Sequence, residues 1–124
     1  MYAFARAAAC VILLVAVAAA GCQLGTRAVS REDAITAAKL GSQSGPVSRS
    51  DAKLVHYGTV REALGYRPGV QGQPSDSETV WAVALSPRSG APRWIVVIVR
   101  PRDGNVMGYE TRSGAAWPPF WDGI

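Results

Sequence analysis

The six residues Trp94-Ile95-Val96-Val97-Ile98-Val99 put an apolar side chain at every position of any strand they form. Successive side chains of a strand point to opposite faces, so a run with no polar alternate needs cover above and below. It is rich in Val, Ile and Trp, which suit the pleated surface of a sheet. The run therefore predicts a central strand, covered on both faces or helped by the C-terminal tail. That tail, residues 113–124, carries Trp117-Pro118-Pro119-Phe120-Trp121, the densest apolar feature outside the strands.

Neighbouring segments supply partners. Glu78 to Ser86 reads as a second strand, and Pro87 to Pro92 carries the turn chemistry that makes the two an antiparallel hairpin. Arg102-Asp103-Gly104-Asn105 forms another tight turn into Val106 to Thr111, and Ala52 to Tyr57 alternates well enough for a further strand. Ser30 to Gly41 opens with a Ser cap, places Glu32 and Asp33 in the first turn, and closes on Gly, which predicts a helix with a narrow apolar stripe. Thr59 and Glu62 have capping-box spacing for a short second helix ending at Gly65. Gly41 to Ser50 and Gly65 to Ser77 have loop composition, the second that of an exposed, mobile loop. The fold class is α+β: one or two helices packed on a three- to four-stranded antiparallel sheet.

The order of a helix beginning Glu32-Asp33-Ala34-Ile35, then Val80-Trp81-Ala82-Val83-Ala84-Leu85-Ser86, then a hydrophobic strand running into Gly104-Asn105-Val106-Met107-Gly108, resembles the PepSY-like domains of secreted peptidase propeptides and bacterial envelope proteins. The likeness covers about residues 30–112. It implies a non-catalytic module that contacts another envelope protein or inhibits a peptidase. The family's final hairpin commonly carries an acidic residue and a Thr-Gly turn; here Arg100 and Asp103-Gly104 stand at those places.

Ahead of the domain, Ala7 to Ala20 contains no charged residue and follows a short segment with one basic residue, Arg6. As a helix these residues rise about 21 Å, short of the roughly 30 Å of bilayer hydrocarbon, so a cleaved signal of residues 1–21 fits better than a permanent span. Cys22 follows at once. The junction Ala19-Ala20-Gly21-Cys22 resembles the bacterial lipobox, which implies acylation of Cys22 (palmitate-type chains and a diacylglyceryl thioether) and a lipoprotein anchored to the outer face of the cytoplasmic membrane or to the outer membrane. Ala18-Ala19-Ala20 also meets the small-x-small rule of ordinary signal peptidase, which would release a soluble product starting at Gly21. The other cysteine, Cys10, lies inside the leader, so Cys22 has no thiol partner in the mature chain. Residues 22–29 read as a short tether.

The charge is +4 for the whole chain, with Arg27, Arg49, Arg61, Arg88 and Arg112 scattered among acids. No basic stripe for nucleic acid results. His56 is the sole histidine, without ligand-spaced partners, so neither a metal nor another cofactor is expected. Asp76 and Glu78 could pair on a loop but read as solvated, and Gly69-Val70-Gln71-Gly72 lacks the Lys of a phosphate loop. The candidate binding residues are Trp81, Trp117, Phe120 and Trp121, for contact with an envelope protein or the bilayer surface; alternatively the tail aromatics fold back to enlarge a small core. Three function classes stand side by side: a lipid-anchored protein-binding module, a small envelope enzyme and a structural surface lipoprotein. A pocket joining His56 to Asp76 or Glu78 would favour the enzyme, and an open groove beside Trp81 and Trp117 the binder.

Overall fold

Every residue from Trp94 to Val99 is buried, and the layers on either side explain why. The computed structural model describes residues 29–124; the expected signal peptide, acylated Cys22 and the tether up to residue 28 lie outside them. Two helices pack on a four-stranded antiparallel sheet, giving an α+β fold. In chain order the elements are α1 (Arg31–Ser42), β1 (Val47–His56), α2 (Tyr57–Leu64), β2 (Thr79–Pro87), β3 (Arg93–Val99) and β4 (Val106–Ser113), with a final 3₁₀ turn at Trp121–Gly123. The sheet order β1-β2-β3-β4 follows the sequence, so β1 and β4 are its edges.

Register decides which side chains share a face. Val83 pairs with Val97 and Leu85 with Ile95, and these point to α1; Ala82 pairs with Ile98 and Ala84 with Val96, and these point the other way. On the first face α1 lies across all four strands, seating Ala34, Ile35 and Ala38 against Ala52, Val83, Leu85, Ile95, Val97 and Val99. On the second, α2 covers only β1 and β2 with Tyr57, Val60 and Leu64. The tail covers a further part of that face: Trp121 is 2% exposed and belongs to the same core cluster as Trp94, Val96 and Ile98, and Phe120 packs against Trp94.

Ser30 caps α1 as expected, its Oγ accepting from the Asp33 N–H at 3.0 Å. The helix runs through Gly41, however, and Gln43 takes the left-handed conformation at φ 54°. Gly41 serves close packing instead: a Cβ there would sit 2.5 Å from Val106 Cγ2. The capping box expected at Thr59 is not used, because α2 starts two residues earlier, directly from β1, with His56 at its N-cap and no side-chain cap. Tyr57 is thus the first helical residue rather than the last of a strand. Its apolar ring is needed in the core beside Val60 and Leu64, the i, i+3 and i+7 stripe of one helix face. Gly65 does end α2, with φ 78°. The strand β1 begins at Val47, inside the expected loop, because an edge strand can leave polar residues such as Ser48 and Arg49 in water.

Candidate functional site

The unequal cover of the second face leaves a half-open cavity of about 250 Å³ over β3 and β4. Its floor is Val96 and Ile98 of β3 with Met107 and Gly108 of β4. Met107 reaches it through a bulge: Ile98 pairs with Gly108 and Val99 with Val106, so Met107 is the additional residue. Tyr57 and Leu64 of α2 form one wall, and Tyr66, Gln73 and Pro74 of the 65–78 loop form the other.

That loop carries no regular structure, yet both its ends are tied down. Arg61, buried on α2, donates from Nε to Asp76 Oδ1 at 2.9 Å, from Nη2 to Asp76 Oδ2 at 3.2 Å and from Nη1 to the Tyr66 carbonyl at 2.7 Å. One side chain thereby fixes the start and the end of the loop in the two-pronged geometry that suits a guanidinium. The Gly58 N–H donates to the Asp76 carbonyl at 2.9 Å and the Tyr57 N–H to that of Glu78 at 2.8 Å. Asp76 is therefore committed to holding the loop.

A polar chain closes the rim beside β4. The Tyr66 hydroxyl donates to Glu110 Oε1, Arg112 Nε donates to Glu110 Oε2 at 3.0 Å, and Arg112 Nη2 donates to the Leu64 carbonyl at 2.6 Å. Burial, and then the hydrogen bond to the Glu110 carboxylate, push the Tyr66 hydroxyl up to about 12. The Tyr66 hydrogen bond and the Arg112 guanidinium hold the Glu110 carboxyl below its ordinary value against the opposing effect of partial burial. Both groups are stabilised as neutral phenol and carboxylate. At the far wall Gln73 Oε1 is buried with no hydrogen-bond donor among the described residues.

A second groove, about 500 Å³, lies at the β3–β4 turn, on the other side of Gln73, Pro74 and Met107. It presents Leu54, Pro101, Glu78, Arg100 and Arg102. Arg100 Nη1 donates to Asp103 Oδ2 at 3.2 Å, whereas Arg102 makes no ion pair among the described residues.

Of the residues expected to bind, Trp81 lies on the α1 face, partly buried, its Nε1 donating to the Val29 carbonyl at 3.0 Å. Trp117, Phe120 and Trp121 lie on the opposite face, so no groove joins Trp81 to Trp117. The tail folds back: Trp121 Nε1 donates to Asp51 Oδ2 at 2.8 Å, Lys53 Nζ donates to the Trp121 carbonyl at 2.5 Å, and Phe120 packs edge-on against Trp94 at 5.6 Å. Trp117 stands partly exposed at the margin, with the Arg49 guanidinium 3.9 Å from its ring centre. His56 is exposed, its Nδ1 3.0 Å from the Ser77 carbonyl, which can accept from it. It borders a shallow depression with Asp76, but Asp76 faces Arg61, and Glu78 faces the other groove.

Sequence reasoning passed over Arg61, Tyr66, Gln73 and Glu110. Arg61 meets Asp76 across 15 residues and Tyr66 meets Glu110 across 44, spacings with no local signature. No family model, no curated protein and no solved structure matches the chain.

Proposed function

We propose that this chain is a lipid-anchored protein of the cell envelope, exported by residues 1–21 and held through acylated Cys22, whose α+β domain is a non-catalytic PepSY-like module that binds another envelope protein. The observation that carries the binding reading is the cavity beside β4, an edge strand with no neighbouring strand on its outer side among the described residues. An apolar floor ringed by Tyr57, Tyr66 and Met107 suits a buried anchor side chain from a partner, and the outer edge of β4 offers unpaired backbone groups to an extended segment. Tyr109, 52% exposed and paired with Val97, adds apolar contact area along the same edge on its α1 side. The non-catalytic reading is supported by Glu110, the one carboxylate among the lining residues, which Arg112 and Tyr66 hold, and by Asp76 at the end of the adjoining loop, which Arg61 holds in a structural role.

Crosslinking in the intact envelope tests it. A photo-reactive residue at Tyr109 should capture a protein neighbour, and one at Leu40, 76% exposed on the outside of α1, should capture much less of it. Recovery of no protein at Tyr109 or Trp117 would reject the binding module. Equal, negligible incorporation of a fatty-acid analogue into wild type and Cys22→Ser would reject the anchor.

A further inference from the structure

The place where the tether joins the domain is fixed by two hydrogen bonds. The Val29 N–H donates to the Pro101 carbonyl at 2.6 Å, and the Val29 carbonyl accepts from Trp81 Nε1 at 3.0 Å. Val29 also packs against the core under α1. The chain therefore enters at the β3–β4 turn. Seven peptide steps separate Cys22 from Val29, and even fully extended they span at most about 25 Å. A chain anchored at Cys22 keeps this end of the sheet near the bilayer, while the β2–β3 hairpin lies at the opposite end.

The groove of about 500 Å³ opens at this same end, and its chemistry is that of a lipid in miniature. Leu54, 48% exposed, together with Pro101 and Met107, offers an apolar bed. Arg100, Arg102 and Glu78 all border it. Asp103 pairs with Arg100 and lies in the field of Arg102 as well, while Arg102 makes no ion pair among the described residues. Two guanidiniums and one carboxylate in one groove suit a phosphate that carries an ammonium a few bonds away, and the apolar bed suits the beginning of an acyl chain. We propose that this groove binds an aminophospholipid drawn from the bilayer, with the phosphate at Arg100 and Arg102, the ammonium at Glu78 and the acyl chain over Leu54. The inference rests on the anchoring at Cys22 for its lipid source. It assigns the domain a fixed orientation, with the β4 edge and its cavity turned sideways to the membrane plane, open to a partner.

The test uses the full mature protein purified from cells, with a photo-reactive analogue at Leu54 and dihexanoyl phosphatidylethanolamine as a soluble probe. Irradiation should give a lipid adduct, and Arg100→Gln with Arg102→Gln should lower its yield by about tenfold. The double variant should stay folded with a thermal midpoint near the wild-type one, since Arg102 is exposed and the Arg100–Asp103 pair that is lost is a partly solvated one. No adduct, or an equal adduct in the double variant, overturns the proposal. Abolition of the adduct by inorganic phosphate at the same concentration as the lipid also overturns it, because the site would then select phosphate alone. The intact mass of the same sample reads the acyl groups on Cys22 separately, so an unacylated protein that still gives the adduct refutes the anchor and leaves the groove.

Discussion

The two faces of this sheet carry the same strands but are covered by different means. Above, one helix of 12 residues spans all four strands with Ala34, Ala38 and Ile35, and Gly41 lets it approach Val106 too closely for any side chain. Below, a helix of eight residues covers two strands, and a loop and an aromatic tail fill what it leaves. Small side chains under a continuous helix close that layer, and none of its buried residues lines either of the two grooves described above. Large rings carried by a loop and a Pro-rich tail do not close theirs, and what remains is the cavity over β3 and β4, with a buried Gln73 Oε1 and Trp117 Nε1 lacking partners among the described residues. Closure on one face supplies the rigid frame, and the incomplete closure of the other leaves something to bind with.

Removing the largest piece of the lower cover should have the greatest effect. Trp121→Ala takes a fully buried ring out of the core cluster that holds Trp94, Val96 and Ile98 and leaves Asp51 without its indole donor. The expected loss is about 3–5 kcal/mol by urea unfolding. A loss under about 1 kcal/mol would mean that the tail is a dispensable flap and that α2 alone closes the lower face.

How much of this was readable from the sequence divides along the same faces. The Ser30 cap, the Ala34-Ile35-Ala38 stripe and the unbroken Trp94 to Val99 run are local patterns, and they yielded α1, β3 and the α+β class. The demand of β3 for cover on two sides was visible as well. What met that demand below was not, because Trp121 reaches Asp51 across 70 residues and Tyr66 reaches Glu110 across 44. The Arg61 to Asp76 pair that ties the loop was hidden for the same reason: a charge on a short helix reads as solvated until the loop that covers it is placed. Gly41 misled in the opposite way, since a glycine near a helix end matches a left-handed cap, and only the proximity of Val106 shows that it serves packing instead.

The polar rim of the cavity should respond to pH in both directions. Glu110 is held below its ordinary value, so its contribution is present above the unfolded carboxylate pKa and is lost as pH falls through the lower folded value. Tyr66 is raised from 10.0 to about 12, so its contribution is present below pH 10 and is lost as pH rises toward 12. Tyr66→Phe should cost about 1 kcal/mol at neutral pH, modest because Glu110 is partly solvated and keeps Arg112. It should also remove most of the decline between pH 10 and 12 measured by denaturant midpoints. A smaller alkaline slope should persist from Tyr57, which burial raises. An unchanged alkaline slope in Tyr66→Phe would show that the Tyr66 hydroxyl is neither buried nor bonded to Glu110 in solution.

The finest discrimination comes from two adjacent residues of β3. Val96 lines the cavity below, and Val97 packs under α1 above; both are fully buried, so exposure alone assigns them equal tolerance. One added methylene separates them. Val97→Ile forces the group into a filled layer and should destabilise by about 1 kcal/mol. Val96→Ile extends into empty space and should be neutral or stabilising by up to about 0.8 kcal/mol, the transfer value of one buried methylene. The same variant should weaken capture of a protein at Tyr109, since it narrows the pocket that an anchor side chain would fill. Equal destabilisation at the two positions would mean that the lower face is as tightly closed as the upper, and the asymmetry from which the binding site follows would be gone.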